Sequence, residues 1–460
     1  MERDSIDLGK EGVFRLFRQY FIPTLFGMLC LSAVTTVDGI FVGHGIGSDG
    51  IAAVNLCVPV FMVFMGIGMM VGAGCSVVAS IQLSKSNVKA ARLNVSQAMA
   101  FVTVITLIPT IFIMLFPTKT AYLLGSSDHL LPMVKEYLLW LSPSLILDLW
   151  IAVGLFIIRL DGRPNLAMIC SVLTAIINVV LDWLFIFPCG WGVKGAAFAS
   201  SISILIGGVI VMVYLGWFAD KLRLIRIKLS VMSMRLSFRN LGYQCKIGFA
   251  ALLSEATLAV LMFTGNQVFM QYLGDDGVGA FGIACYYIPF VFMIGNAIAQ
   301  SAQPIISFNF GLGAKNRVRK TEQLALFTAM LCGLIVTIAF VAIPRALIGL
   351  FVSPDVPAAT IAMEGFPIFA IGFIPFILNL TAIGYFQSVE KVWPATIFAL
   401  LRGLILLIPA FVIMPRIMDI TGIWLALPIS ELITILLVLI YYLWNHRTYN
   451  ALNNSNAQSI

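Results

Sequence analysis

Charge is what this chain has least of. Only 11% of its 460 residues are Asp, Glu, Lys or Arg, against about 25% in a soluble domain. A water-facing surface cannot be assembled from so few charges. With 60% hydrophobic residues and a mean hydropathy of +1.00, lipid has to be the solvent for most of the chain. No polar block is long enough for a soluble domain. The three histidines (His44, His129, His446) fall near loops, and no Cys/His cluster accompanies them, which argues against a histidine metal site. Eight cysteines stand singly (Cys30, Cys57, Cys75, Cys170, Cys189, Cys245, Cys285, Cys332) with no Cys-x-x-Cys pair, so neither a zinc site nor a redox motif is supported. There is no phosphate-binding loop ending in Gly-Lys-Ser or Gly-Lys-Thr, and no His-Glu-x-x-His. Energy for any work must come from an ion gradient or a partner chain. Met1 to Gly12 is polar and lacks a short apolar stretch with a cleavage site, so the first apolar segment is expected to stay in the membrane.

What the chain does have is apolar runs separated by turn residues, at 20–43, 52–82, 93–117, 134–158, 165–187, 193–218, 247–273, 279–310, 323–350, 361–388, 393–415 and 422–444. A membrane helix needs roughly 20 apolar residues, so these read as twelve spans, several long enough to tilt or bend. Prolines fall in or near many of them (Pro23, Pro59, Pro109, Pro143, Pro289, Pro304, Pro375, Pro409). A proline frees a backbone carbonyl, and neighbouring helices or water must then satisfy it.

The net charge of +7 and pI near 9.0 would suggest a nucleic-acid partner in a soluble protein. Here the basic residues are topology signals, and no nucleic acid is expected. Twenty-two of the 28 lie in alternate connections: Arg3 to Arg18, Lys85 to Arg92, Arg159 and Arg163, Lys221 to Lys246, Lys315 to Lys320, Lys391 and Arg447. Lys119, Lys135, Lys194, Arg345 and Arg416 form the opposite set, and Arg402 falls inside an apolar run. The asymmetry places both termini in the cytoplasm of a multi-pass inner-membrane protein.

The chain also repeats itself. Phe41 and Phe269 lead to Gly47-Ser48-Asp49-Gly50 and Gly274-Asp275-Asp276-Gly277, Phe156–Pro164 matches Phe386–Pro394, and Gly192 and Gly422 place Ser200 opposite Ser430. The offset holds between 227 and 230. Six spans per repeat is an even number, so the halves share one orientation about an axis along the membrane normal. The expected division is an N-lobe over 1–218, a basic cytoplasmic linker over 219–246 (interfacial helix or loop, charges at the headgroups), a C-lobe over 247–444 and a cytoplasmic tail over 445–460.

Acids inside the apolar runs are the residues that point to chemistry: Asp38, Asp148, Asp182, Glu255 and Glu431, with Glu364 nearer an interface. A charged carboxylate at bilayer depth costs about 2.5–3.5 kcal/mol on insertion scales, so it usually faces a cavity and serves a purpose. The repeat counterparts of Asp38 and Asp182 lie near Asn266 and Met414, neither an acid, which puts ion coupling mainly in the first half. Asn178 and Asp182 are four apart and share a helix face. An amide oxygen beside a carboxylate suits a hard cation such as sodium, and the same carboxylate can hold a proton instead. The bland alternative is a cap or a hydrogen bond to a neighbouring helix. Asp148 and Glu255 are equally open to a structural reading. Arg402 can be the partner of an acid or of a helix carbonyl as readily as a substrate contact. Methionines such as Met62, Met65, Met69, Met70 and Met293 suit packing better than binding, and Gly66, Gly68, Gly72 and Gly74 suit close helix approach.

Asp38-Gly39-Ile40-Phe41-Val42-Gly43, with Gly47 and Ala52-Ala53, resembles the first-helix motif of the multidrug and toxic compound extrusion (MATE) family. So does Gln303-Pro304-Ile305-Ile306-Ser307-Phe308-Asn309-Phe310-Gly311 with Arg317 following. Asp161-Gly162-Arg163-Pro164 and Gly192-Val193-Lys194-Gly195-Ala196-Ala197 resemble the family's turns around the fifth helix. The likeness spans nearly the whole chain. It implies an all-α membrane protein of two six-helix lobes, without a cofactor, acting as a monomer, that exports small cationic amphipathic compounds in exchange for sodium ions or protons by alternating access. In the branch with an N-lobe aspartate, the cation site would comprise Asp38, Asn178, Asp182 and Ser200, with sodium possible at the first three. Pro23 matches a proline associated with bending. Glu255 matches an acid used by another branch, but that branch's tenth-helix acid is missing from Ile368–Val389. Asp148, Glu255 and Arg402 remain candidates for a substrate or secondary proton site.

Three other readings compete. A lipid-linked precursor flippase of the same superfamily would want several interior bases, and only Arg402 is present. A major facilitator transporter would carry a glycine-aspartate-basic motif where this chain reads Leu83-Ser84-Lys85-Ser86-Asn87-Val88-Lys89. A receptor or scaffold would not need buried acids.

Overall fold

In lipid, an unpaired backbone N–H or C=O costs several kcal/mol, so apolar runs of this length close their hydrogen bonds as helices. The computed structural model describes residues 6–227, 230–353 and 355–457, and their side chains except at 48 and 445–457. Arg3, Lys228, the side chain of Arg447 and the side chains of the expected tail fall outside the described residues. No strand occurs among the described residues.

The helices are α1 (Val13–Ile46), α2 (Ser48–Ser84), α3 (Val88–Leu115), α4 (Pro117–Leu123), α5 (Leu131–Leu141), α6 (Leu145–Leu160), α7 (Pro164–Ile186), α8 (Gly192–Val213), α9 (Val231–Gly311), α10 (Lys315–Ala342), α11 (Pro344–Gly349), α12 (Pro357–Ala370), α13 (Phe373–Ser388), α14 (Val392–Leu400) and α15 (Leu407–Ala457). All twelve apolar runs fall on helix. Proline acts as the sequence suggested at two places. Pro143 sits in the short 3-10 turn Ser142–Ser144 between α5 and α6, and Pro375 follows the 46° bend between α12 and α13. Pro23 does not interrupt α1, which runs through it as one helix.

Among the described residues, nine helices are long and apolar enough to cross a membrane, or ten with the α12–α13 pair taken as one broken span. Two of the nine hold a reversal. α9 breaks at Gly274 (φ 63°, ψ −154°), a conformation only glycine adopts without strain. α15 breaks at Met418 and Asp419. Beyond Gly274 the chain folds back, so that Phe269 and Phe281 stack at 4.6 Å and Trp424 meets Phe269 edge-on at 4.8 Å.

The expected linker is half helix. Residues 231–246 form the opening turns of α9, started by the Ser230 hydroxyl capping the Ser233 amide. The non-helical part is anchored by Asp161, whose carboxylate accepts from the Asp220, Lys221 and Leu222 amides (3.0, 2.9 and 3.0 Å) and the Tyr214 hydroxyl (2.7 Å). Arg163 adds an ion pair to Asp220 at 3.0 Å.

The chain divides into two compact units. One comprises Met1–Ala256, Asn296–Ala325 and Gly384–Val392, and the other Thr257–Gly295, Leu326–Ile383 and Trp393–Ile460. In the first, α1 lies along α7, α7 along α8, and α6 between α2 and α8. Small residues let these helices meet: a Cβ on Gly45 would collide with Ile186, one on Gly74 with the Gln244 carbonyl and one on Gly248 with the Met70 carbonyl. α2 and α9 thus cross backbone to backbone. In the second unit, α12 packs on α15 around the rings of Phe366, Phe369 and Trp424.

Candidate cation site in the first unit

α1 and α7 run side by side because Gly27 and Gly45 give α7 room, and Val42 of α1 packs with Ile186 and Ala196 at the far end. That contact fixes the register in which Asp38 and Asp182 face each other. Asp182 is fully buried and Asp38 half-buried, and the two carboxyl groups are close enough to act directly on each other's charge. Among the described residues no donor reaches either Asp182 oxygen or Oδ1 of Asp38. This is an unusual state for buried carboxylates, which ordinarily hold several N–H or O–H donors. Two carboxylates so placed cannot both stay ionised without a cation between them; a proton or a metal cation meets that need.

One turn below Asp182, Asn178 is buried and donates from Nδ2 to the Ser200 hydroxyl on α8 at 3.2 Å. Ser200 is held in turn. Its neighbour Ser201 bonds the Trp140 carbonyl at 2.7 Å, tying α8 to α5, and Ser203 bonds the Ser200 carbonyl at 2.8 Å. Rings of Trp140, Phe198, Trp191 and Phe185 pack around this end of α8, Phe185 stacked on Trp191 and Trp140 edge-on to Phe198, with the Lys194 ammonium over Trp140 at 5.0 Å. The structure therefore brings together in one unit the four residues Asp38, Asn178, Asp182 and Ser200. It adds Tyr137 of α5, buried and close enough to feel both carboxylates. Nothing in the sequence distinguishes Tyr137 from other interfacial tyrosines, because its relation to the acids is made only by the fold.

The other candidates do not join this group. Asp148 lies in the first turn of α6, half-buried, with no charged group in range. Glu255 is half-buried on α9, against α2 at Gly66, and is equally isolated. Neither has a hydrogen-bonded partner among the described residues. No cluster of three or more His, Cys, Asp or Glu occurs among the described residues, so a metal cation at Asp38 and Asp182 would need amide or hydroxyl oxygens to complete its shell. Pro23 is buried in α1, four turns from Asp38.

Arg402 is in the second unit, and of the roles open to it the structure gives the acid partner. Fully buried in a π-helical turn at Leu401–Ile405, it binds Glu431 through Nη2 (2.8 Å) and Nε (3.0 Å), and Asn379 Nδ2 donates to the same carboxylate at 2.6 Å.

The Gln303–Gly311 motif also has a visible task within the first unit. Gln303 donates to the Ala73 carbonyl at 3.0 Å. Asn309 accepts from Arg317 Nε at 2.8 Å, and both residues donate to the Leu8 carbonyl (3.0 and 3.1 Å) while Arg317 also reaches the Glu11 carbonyl at 2.6 Å. The motif is a clasp on the segment before α1, which spacing alone does not reveal.

Comparison with known proteins identifies the family and the fold. The sequence model of the MatE family matches twice, at residues 23–184 and 251–412, so the second match follows the first at an offset of 228. The multidrug export protein MepA of Staphylococcus saprophyticus is 26% identical over 445 residues, covering 95% of each chain, and that of Staphylococcus aureus is 26% identical over 450 residues at the same coverage. Among solved structures, an outward-facing multidrug resistance MATE family transporter of the MOP superfamily superimposes with a TM-score of 0.87 at 20% identity, over 98% of this chain and 99% of that one. A MOP superfamily transporter from Pyrococcus furiosus, described as having a binding pocket of reverse polarity, gives 0.87 at 19% identity over 98% and 99%.

Proposed function

The chain belongs to the MatE family of multidrug and toxic compound extrusion transporters, and from that premise we propose that it exports small cationic amphipathic compounds in exchange for sodium ions or protons by alternating access. The observation that carries the coupling is the facing pair of half-buried Asp38 and fully buried Asp182, in which no donor among the described residues reaches either Asp182 oxygen or Oδ1 of Asp38. A cation entering between them relieves their repulsion and draws α1 toward α7. That biases one access state, and a cationic substrate, which competes for negative potential in the same protein, favours the other. Pro23, which leaves one carbonyl of α1 without a helical donor, is the point where α1 can bend. Asn178 and Ser200 supply the neutral oxygens near the pair. Asp148 and Glu255, isolated and half-buried, are suited to contacting the cationic substrate.

The lobes, in this reading, are residues 1–218 and 247–444, with twelve spans once the reversals at Gly274 and Met418–Asp419 are counted. The protein sits as a monomer in the inner membrane, and the basic ends of its helices face the cytoplasm. A flippase for anionic lipid precursors is disfavoured because the two buried arginines among the described residues are both engaged, Arg402 by Glu431 and Arg159 by the Gln300 amide oxygen at 2.6 Å.

The test is transport by the full chain in proteoliposomes with an imposed sodium or proton gradient. Export of a lipophilic cationic dye should require the gradient and vanish in Asp38→Asn and Asp182→Asn. Transport in Asp182→Asn with loss in Glu255→Gln would move the coupling out of this site. In cells, cysteine at position 127 should label from outside and cysteine at 230 should not; the reverse overturns the orientation.

A further inference from the structure

The two halves treat their buried acids in opposite ways. In the first, Asp182 is fully buried and both its oxygens lack donors. In the second, Glu431 is fully buried and both its oxygens are taken by donors. Its Oε1 accepts from Arg402 Nη2 (2.8 Å) and Nε (3.0 Å), and its Oε2 accepts from Asn379 Nδ2 (2.6 Å) and, at 3.3 Å, from Nε. The Asn379 amide also bonds the Glu431 carbonyl at 2.9 Å, which fixes the side chain that fills the fourth position. The guanidinium lies over the Phe376 ring, 4.4 Å from its centre, so one face is closed by an aromatic surface.

The repeat places these contacts on corresponding helices but at different residues: Arg402 matches Val172, six residues before Asn178, and Glu431 matches Ser201. Ser200 and Ser430 are counterparts, and Glu431 is the next residue. In the first half the helix before Ser200 reaches it with a neutral amide, Asn178. In the second half the helix before Ser430 reaches Glu431 with a permanent cation, Arg402. The π-helical turn at Leu401–Ile405 is where that helix departs from regular winding; such a turn inserts a residue, re-aims its neighbours and is common at functional positions. A buried ion pair is seldom there for stability, since apolar residues of similar volume often do as well. Specificity of charge is the better reason for keeping it.

We propose that Arg402 is a tethered counter-ion: it holds at Glu431 the place that an exchangeable cation holds at Asp38 and Asp182, and so confines cation exchange to the first half. This rests on the coupling reading given above. It makes Arg402 and Glu431 determinants of how many cations are exchanged per cycle, without contact to the transported compound. If Arg402 loses its charge, Glu431 is left as a buried carboxylate held only by Asn379, and it must take a proton or a metal cation from solution.

Thermal unfolding of the full chain in detergent, with and without sodium and at neutral and acidic pH, separates the two ideas. Asp38→Asn/Asp182→Asn should lose the cation-dependent rise in Tm; if it does not, the coupling reading fails. Adding Arg402→Met to that double variant should create a new sodium- or acid-dependent rise of at least about 3 °C, and adding Glu431→Gln as well should abolish it. A folded Arg402→Met variant with no such rise overturns the tethered counter-ion. Should Arg402→Met alone fail to fold, Arg402→Met/Glu431→Gln in the otherwise native chain decides. It should fold and export a cationic dye within about twofold of the native rate, because charge and counter-charge leave together. If it folds no better than the single variant, or folds and does not transport, the pair does more than balance charge and the inference is wrong.

Discussion

Replacing Asp182 by asparagine should make the folded protein more stable while making it useless as an exchanger. Two unit charges about 4 Å apart repel by about 4 kcal/mol at an effective dielectric constant of about 20. The half-exposed side of Asp38 lowers this, so about 2 to 4 kcal/mol is the working range. Asparagine is nearly isosteric, keeps one oxygen and brings a donor that can reach Asp38, where the native site offers none. The repulsion disappears and a hydrogen bond replaces it. By the same measure, the attraction of the native pair for a cation falls by roughly two to three powers of ten. The native protein should therefore gain thermal stability when sodium or acid is added, and Asp182→Asn should start higher and respond little. The assay is the unfolding temperature of purified protein as a function of sodium concentration and pH, with retention of a monodisperse gel-filtration peak as the check on folding. An Asp182→Asn protein that is less stable than the native one, or that responds to cations as strongly, would show that the carboxylates do not face each other as a repelling pair.

Further substitutions test the scaffold around this site. Gly74→Val should abolish folded expression, because its side chain would be driven into the Gln244 backbone where α2 crosses α9. Gly39→Ala, next to Asp38 but with no atom within 4 Å of the new methyl, should be neutral or gain up to about 1 kcal/mol in Tm measurements. Asp161→Ala removes the acceptor for three linker amides and the Tyr214 hydroxyl and should cost about 3 to 5 kcal/mol, seen as cleavage by protease between 219 and 230. Glu255→Gln, isolated from the cation pair, should retain gradient-driven transport and change mainly the apparent affinity for cationic substrates.

Composition by itself determined the solvent, and with it the fold class. So few charges on so long a chain cannot face water, and in lipid a helix is the form in which a segment satisfies its own polar backbone. The repeat was equally legible, since duplicated turns such as Gly47–Gly50 and Gly274–Gly277 keep their offset in any conformation. The candidates Asn178 and Asp182 could be joined on paper, because four residues make one helical turn. Tertiary structure alone decided the rest. That Asp38 meets Asp182 depends on how far α1 slides along α7, which Gly27, Gly45 and Ile186 set through contact. Tyr137 joined them for the same reason. The opening turns of α9 in 231–246 looked like charged linker, because the basic residues that signal topology are also good helix formers. Arg402 shows the division most clearly. Its presence in an apolar run announced a partner, but Glu431 lies 29 residues away and on another helix, and whether an interior arginine meets an acid, a carbonyl or a substrate is settled by packing across space, of which linear spacing keeps no trace.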